Sequence, residues 1–215
     1  MKRLFPYGEK EISYLKQKDR RLAAVIDQVG PIVRYTDSDL FSSVIHHIIG
    51  QQISTKAQAT IWQRLQDKVS LVTPDSIASL SESELQSIGI SYRKASYIQD
   101  FCHKIQSGAF ALHAAAAMND EEAIRYLASL KGIGRWTAEM ILLFCLCRPN
   151  IFSCDDLAIQ RGLRMIYRHR QITKPLFEKY RRRFSPYGST ASLYIWAVSN
   201  GAIPELKDTV PYTKK

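Results

Sequence analysis

The sequence predicts an all-α protein of two helical lobes, and three observations carry that prediction. Apolar residues recur at helical spacing along almost all of the 215 residues, period-two patterns are scarce, and helix-start signals follow one another at short intervals. With 46% hydrophobic and 10% aromatic residues, the chain can bury a sizeable core without cross-links. No long linker or low-complexity segment divides it. The expected organisation is therefore one domain over 1–215, with the N- and C-terminal helices forming one lobe and residues 55–150 or so the other.

The cap-rich "TDSD" at 36–39 precedes a helical stripe of Leu40, Phe41, Val44, Ile45, Ile48 and Ile49, and after "QQIST" a second helix carries Ile61, Trp62 and Leu65. "TPDSIASL" offers Thr73 as N-cap with Pro74 at the first helical position. "SESEL" offers a capping box of Ser81 and Glu84, and "NDEEAIRYLASL" repeats that logic with Asn119 and Glu122. "GISYRKASYI" from Gly89 also aligns without gaps on "GIGRWTAEMI" from Gly132. This internal repeat predicts two helix pairs with the same hairpin spacing, the second tighter because only it has both glycines. Further on, "RMIYRHR" at 164–170 and "YRRRF" at 180–184 are basic runs inside helical patterns, read as solvated helix faces.

Composition narrows the function classes. Thirty Lys and Arg against twenty Asp and Glu give a net charge of +10, which favours a polyanionic partner such as nucleic acid. No window approaches the roughly 18 to 20 apolar residues of a membrane span, and "MKRLFPYGEKE" lacks the apolar core of a signal peptide. The expectation is an intracellular protein: bacterial cytoplasm or nucleoid, or a eukaryotic nucleus. Cys102, Cys145, Cys147 and Cys154 fit neither a disulfide framework nor a zinc or iron-sulfur spacing, even with His169 considered as a further ligand. They are expected to be buried reduced thiols.

The hairpin at 128–144 is the first functional signal. Gly132 and Gly134 permit positive φ and close approach to the backbone, while a helix starting near Arg135 presents unsatisfied amides and the positive end of its dipole. Together these can cradle a phosphate, and Lys131 and Arg135 add charge beside it. With Leu130 before, Ala138 after and Ile141 one turn later, the pattern resembles the helix-hairpin-helix, an element that grips the DNA backbone without reading sequence.

The second signal is "FSCDDLAIQRG". Asp155 and Asp156 open an apolar-periodic helix, and one of them suffices as its N-cap. Asp156 lies 24 residues after Gly132. At this distance the chain resembles the helix-hairpin-helix (HhH-GPD) DNA glycosylase superfamily. With "IIGQQIS" at 48–54, "LKGIGRWTA" and "LYIWAVSNG" at 193–201, it looks most like the 3-methyladenine DNA glycosylase II family, from about residue 38 to 201. The bacterial type member's extra N-terminal β domain is expected to be lacking. Pro149 alone represents the Gly/Pro-rich loop.

The resemblance implies a monofunctional DNA glycosylase that flips alkylated purines, of the 3-methyladenine and 7-methylguanine type, out of damaged duplex DNA. It implies Asp156 as the catalytic carboxylate, with Asp155 the less favoured alternative. Trp136, Trp196 and Met140 match the base pocket, Met140 standing where the family has an aromatic. Bifunctional members carry a nucleophilic lysine at the position of Trp136, so attack by water without lyase activity is implied. Gln52 matches the intercalating position, and Gln51 and Ser54 are polar neighbours implied to support the loop or contact DNA. Lys131, Gly132, Ile133, Gly134, Arg135 and Thr137 are the hairpin's implied DNA contacts. No cofactor is implied beyond a structural Na or K ion held by the carbonyls of Leu130 and Ile133. Damaged duplex DNA is the expected partner of a monomer. Two alternatives stay open: a catalytically silent hairpin protein that binds DNA, and a glycosylase for oxidised, deaminated or mismatched bases.

Overall fold

The computed structural model describes residues 3–37 and 39–210, so Ser38 of the "TDSD" cap and the first two residues of "MKRLFPYGEKE" lie outside the described residues. The described chain forms twelve α-helices, a 3-10 helix at Leu112–Ala116, and one two-stranded sheet of β1 (Arg3–Leu4) and β2 (Tyr35–Thr36). The all-α expectation holds. The sheet went unforeseen because strands of two residues are too short to show a period of two.

Two compact units result, one holding Thr36–Leu146 and the other Leu4–Tyr35 with the described residues from Cys147 on. The first unit contains α3 (Leu40–Gly50), α4 (Thr55–Val69), α5 (Pro74–Ala78), α6 (Glu82–Ser87), α7 (Tyr92–Gln106), α8 (Asp120–Ala128) and α9 (Arg135–Phe144). Its helix starts follow the expected signals. Asp39 caps α3 by accepting from Ser42 N–H, and capping boxes at Thr73, Ser81 and Asn119 open α5, α6 and α8. Every residue of the α3 stripe is buried, against α4, α7 and α9. This corrects the expected lobe boundary near 55: a helix with so continuous an apolar face packs with the elements that follow it. The internal repeat is structural as well. Gly89 and Gly132 have φ of +105° and +79°, α7 and α9 each begin three residues later, and Ala95 with Ile98 is buried as Ala138 is with Ile141.

The second unit contains α1 (Glu9–Lys18), α2 (Arg20–Val29), α10 (Leu157–Tyr167), α11 (Lys174–Phe184) and α12 (Gly188–Ser199). Leu22, Phe152, Leu163, Phe177, Phe184, Tyr194 and Ile195 belong to its core. The most extensive helix packing is α10 on α12, and Gly162 permits a close approach, because a Cβ there would run into the backbone carbonyl of Ile195. The basic runs are not merely solvated faces. Arg164 is bound bidentately by Asp208 at 2.9 and 2.6 Å, and Arg183 pairs with the buried carboxylate of Asp19, the N-cap of α2.

All four cysteines are free, but only Cys102 is buried; Cys145, Cys147 and Cys154 are half-buried. Burial pushes the Cys102 thiol up to about 12, so it is inert at neutral pH. His169 Nε2 is engaged at 2.8 Å by the Tyr180 hydroxyl, not by a metal-ligand set. Among the described residues no helix is long and apolar enough to cross a membrane.

Candidate active site

The hairpin begins where α8 ends. Leu130 N–H donates to Leu127 O and Ile133 N–H to Leu130 O, both at 3.1 Å, while the Leu130 and Ile133 side chains anchor the turn in the core. Gly132 is required twice over, by its positive φ and because a Cβ would strike the ring of Tyr97. Gly134 departs from expectation. Its φ of −85° is ordinary extended backbone, and a Cβ there would meet nothing. Its value is openness: as N-cap of α9 it places no side chain over the first-turn amides, which precede the first intrahelical bond, Ala138 N–H to Gly134 O.

The charges beside this turn are corrected too. Lys131 lies 2.8 Å from Asp100 of α7, whose hydrogen bond raises the lysine pKa above its ordinary 10.5. Burial pushes the Asp100 carboxyl up, but Lys104 and Lys131 outweigh it and hold it below its ordinary 3.8. Arg135 pairs with Glu121 and with the buried Glu139, which explains why it is committed: a buried carboxylate needs a partner. Lys131 and Arg135 are therefore paired with carboxylates of their own unit. The Thr137 side chain is buried, so only its backbone amide is suited to a phosphate, and Met140, 4% exposed, offers a base little surface. Trp136 is 41% exposed in the first turn of α9. The turn's hydrogen bond takes one lone pair of the Leu130 carbonyl, one of the two expected ion donors; a carbonyl can accept twice.

"IIGQQIS" becomes a braced turn. At Gly50, the last residue of α3, the amide of Gln58 occupies the place a Cβ would take, donating to His46 O at 2.9 Å. Gln51 donates its side-chain amide to Gly132 O at 2.7 Å, so it tethers the turn to the hairpin. Ser54 caps α4 through Ala57 N–H at 3.2 Å. Gln52 is exposed with a φ of +56°, beside Ile53 at 36% exposure. Lys94, which carries no sequence signal, donates to Ile49 O at 2.8 Å and Gln51 O at 2.7 Å. Burial, then neighbouring Arg93, pulls its ammonium below the ordinary 10.5.

In the second unit, Asp156 and the N-cap of α10 prove to be the same residue, so capping and candidate catalysis fall on one side chain while Asp155 stands exposed. Asp156 is 6% exposed, and its Oδ1 accepts from Ile159 N–H at 2.8 Å and from Trp196 Nε1–H at 3.1 Å. The Gly162 contact brings α12 close enough for that second bond. The preceding loop is fixed by Ile151 N–H to Ser189 Oγ at 2.9 Å and Gln160 Nε2–H to Cys154 O at 2.6 Å. Trp196, expected in the base pocket, is half-buried against the unit's core and bonded to the carboxylate. Such a carboxylate is pre-oriented to stabilise a developing cation or direct a water. Leu157, missed by the sequence reading, follows it at 78% exposure; being out of phase with buried Ile159, Leu163 and Ile166 was its signal. Asp37, His46 and His47 of the first unit hold possible metal-ligand atoms within 4.8 Å of one another, but His47 Nδ1 is 2.8 Å from Ser43 O.

A glycine-turned helix pair, and a buried capping carboxylate 24 residues past its first glycine, define a helix-hairpin-helix protein of the DNA-handling class. The model of the HhH-GPD superfamily of base excision DNA repair proteins matches residues 45–186, and the chain belongs to that superfamily. It is 29% identical over 197 residues to DNA-3-methyladenine glycosylase 1 of Schizosaccharomyces pombe, covering 89% of this chain and 86% of the relative. It is 25% identical to DNA-3-methyladenine glycosylase 2 of Escherichia coli, covering 74% and 57%. In three dimensions it is similar to a DNA-3-methyladenine glycosidase from Bacillus halodurans, with a TM-score of 0.81, 30% identity and coverage of 94% and 95%. The S. pombe 3-methyladenine DNA glycosylase in complex with abasic DNA gives a TM-score of 0.78, 27% identity and coverage of 89% and 97%.

Proposed function

We propose that the chain is a monofunctional DNA glycosylase that hydrolyses the N-glycosidic bond of alkylated purines, 3-methyladenine and 7-methylguanine above all, in duplex DNA. The observation that carries this reading is Asp156, buried and held by two donors at the start of α10. The S. pombe, E. coli and B. halodurans relatives named for 3-methyladenine support the substrate class.

The chemistry follows from the lesion. Alkylation at N3 or N7 makes the purine cationic, which weakens the bond to the sugar and makes the base a good leaving group without an acid. The sugar becomes cationic as that bond breaks and the base leaves neutral; the Asp156 carboxylate stabilises the sugar, orients the attacking water and takes the proton that water loses as it bonds to the sugar. Turning the base out of the stack costs a few kcal/mol, less at a damaged pair. Trp136, exposed in the first turn of α9, offers a π-face that attracts a cationic base by about 0.5 to 2 kcal/mol. It has no amine, so the reading predicts hydrolysis and no Schiff base. The amides that open α9 hold a phosphate, and a Na or K ion on the Leu130 and Ile133 carbonyls would stiffen that turn. The enzyme acts as a monomer.

The test is to incubate the protein with DNA carrying 3-methyladenine or 7-methylguanine and to quantify free base, beside Asp156→Asn. Release by the wild type and its loss in the variant are expected. Duplex binding without release from any lesion would leave a silent DNA-binding hairpin, and release of oxidised or deaminated bases only would change the substrate. Borohydride trapping of a covalent protein-DNA adduct would contradict the monofunctional assignment.

A further inference from the structure

The glycosylase reading uses the hairpin, Trp136 and Asp156. It leaves a half-buried ammonium, Lys94, without a task, and does not say what holds Gln52, at the position matched to intercalation, in its strained backbone. Gln52 holds a φ of +56° with a long side chain. Such a conformation is strained for a residue with a side chain and persists only where the surroundings over-determine it.

Those surroundings are a chain of three bonds within the first unit. Lys94, in the first turn of α7, binds the carbonyls of Ile49 and Gln51 at 2.8 and 2.7 Å. It thereby places a positive charge at the negative end of α3, where helix carbonyls lack partners. The residue whose carbonyl it holds, Gln51, reaches from its side chain to Gly132 O at 2.7 Å, the carbonyl of the positive-φ glycine in the hairpin. Gln52 and Ile53 follow directly, both exposed, before Ser54 caps α4. The two copies of the internal repeat thus have different tasks. At the position aligned with Thr137, the first copy has Lys94, which braces a neighbouring turn; the second copy leaves its first-turn amides open.

We infer that Lys94 and Gln51 lock the exposed Gln52–Ile53 turn to the glycine hairpin, so that both meet DNA as one rigid surface. Lys94 is then a positioning residue for base extrusion. The inference rests on the glycosylase reading for its purpose. Its physical ground is that a wedge can unstack a base only if it cannot recoil from the point that grips the backbone.

The experiment uses the whole protein and a duplex with a tetrahydrofuran abasic analogue opposite 2-aminopurine, whose fluorescence rises when its stacking is broken. Duplex affinity is read by anisotropy on an undamaged duplex of the same length. Lys94→Met and Gln51→Leu are expected to bind undamaged duplex within threefold of wild type. At saturation on the analogue, they are expected to lose at least fivefold of the fluorescence rise. Lys94→Arg, which keeps a charged donor, should restore most of it. Gln51→Leu leaves the α3 terminus capped by Lys94, so it tests the lock even if Lys94→Met unfolds. A wild-type rise in either folded variant, a parallel loss of affinity and fluorescence in both, or no rise with the wild-type protein would each overturn the inference. Base release is assayed on the same stocks. A wild type that releases no base yet shows the lock-dependent rise would sink the glycosylase reading and leave the inference standing.

Discussion

Asp156 caps α10 and accepts the Trp196 indole N–H on the same oxygen, so a substitution there reports on stability and on chemistry at once. The two can be separated. Asn caps a helix about as well as Asp, whereas Ala costs about 1 kcal/mol, within a range of 0.5 to 2. Asp156→Asn should therefore melt close to the wild type and Asp156→Ala a few degrees lower. Both should lose base release by about 100-fold or more, the scale of removing one electrostatic stabiliser from an active site. Melting curves and single-turnover release on the same preparations check this; a variant pair with equal Tm would remove the cap from the account. The candidate carboxylate was legible in the sequence because a fixed distance from the hairpin singled it out. Its bond to Trp196 was not. The two residues are 40 apart in sequence, and their meeting depends on the closeness of α10 and α12 at Gly162.

At the scale of elements, the two glycines of the hairpin are predicted to fail differently. Gly132→Ala forces a side chain into positive φ and against Tyr97, at a cost of roughly 1 to 3 kcal/mol, so its Tm should fall by several degrees. Gly134→Ala meets no atom and keeps an ordinary φ, so it should fold normally and lose duplex affinity for every sequence alike. Calorimetry and anisotropy on the pair decide; loss confined to lesion DNA in Gly134→Ala would count against a phosphate cradle. A pH dependence belongs here too, in the Arg164–Asp208 clamp between α10 and the chain after α12. The hydrogen bond from Arg164 holds the Asp208 carboxyl below its ordinary 3.8. A depressed carboxylate stabilises the fold above its unfolded pKa and loses that contribution as the pH falls through the folded value. The Tm gap between wild type and Asp208→Asn should thus be full at pH 6, begin to narrow near pH 4, where the unfolded carboxyl titrates, and close only below the depressed folded value; a gap unchanged at pH 3 would contradict the clamp. Helix starts were readable because a cap is decided within four residues, by Thr73 with Pro74 or by the capping boxes at Ser81 and Asn119. What escaped was set by long-range partners: the Lys94 brace, 43 residues from Gln51, and the Asp100 that occupies Lys131.

Over the whole molecule, a net charge of +10 draws the chain to DNA, yet the structure divides that charge between folding and binding. Arg164, Arg183 and Arg135 are tied to carboxylates of their own units, and Lys131 to Asp100. The hairpin's grip is therefore expected to come from backbone amides more than from side-chain cations, and this has a measurable signature. Each phosphate neutralised by a cation adds about 0.9 to the slope of log affinity against log salt. If Lys131 stays with Asp100, Lys131→Ala should change that slope by less than about 0.5, against the full increment of a free contact. Asp100→Asn should act the other way, since it releases both Lys131 and Lys104, 2.8 Å away on either side of the carboxylate. Undamaged duplex should then bind several-fold tighter at low salt, with a slope steeper by about 1 to 2. The added affinity is sequence-independent, so it should slow the search for lesions and leave the excision step on a bound lesion unchanged. If Lys131→Ala instead flattens the slope by a full unit, the lysine has left Asp100 for a phosphate, and the paired state describes only the protein without DNA.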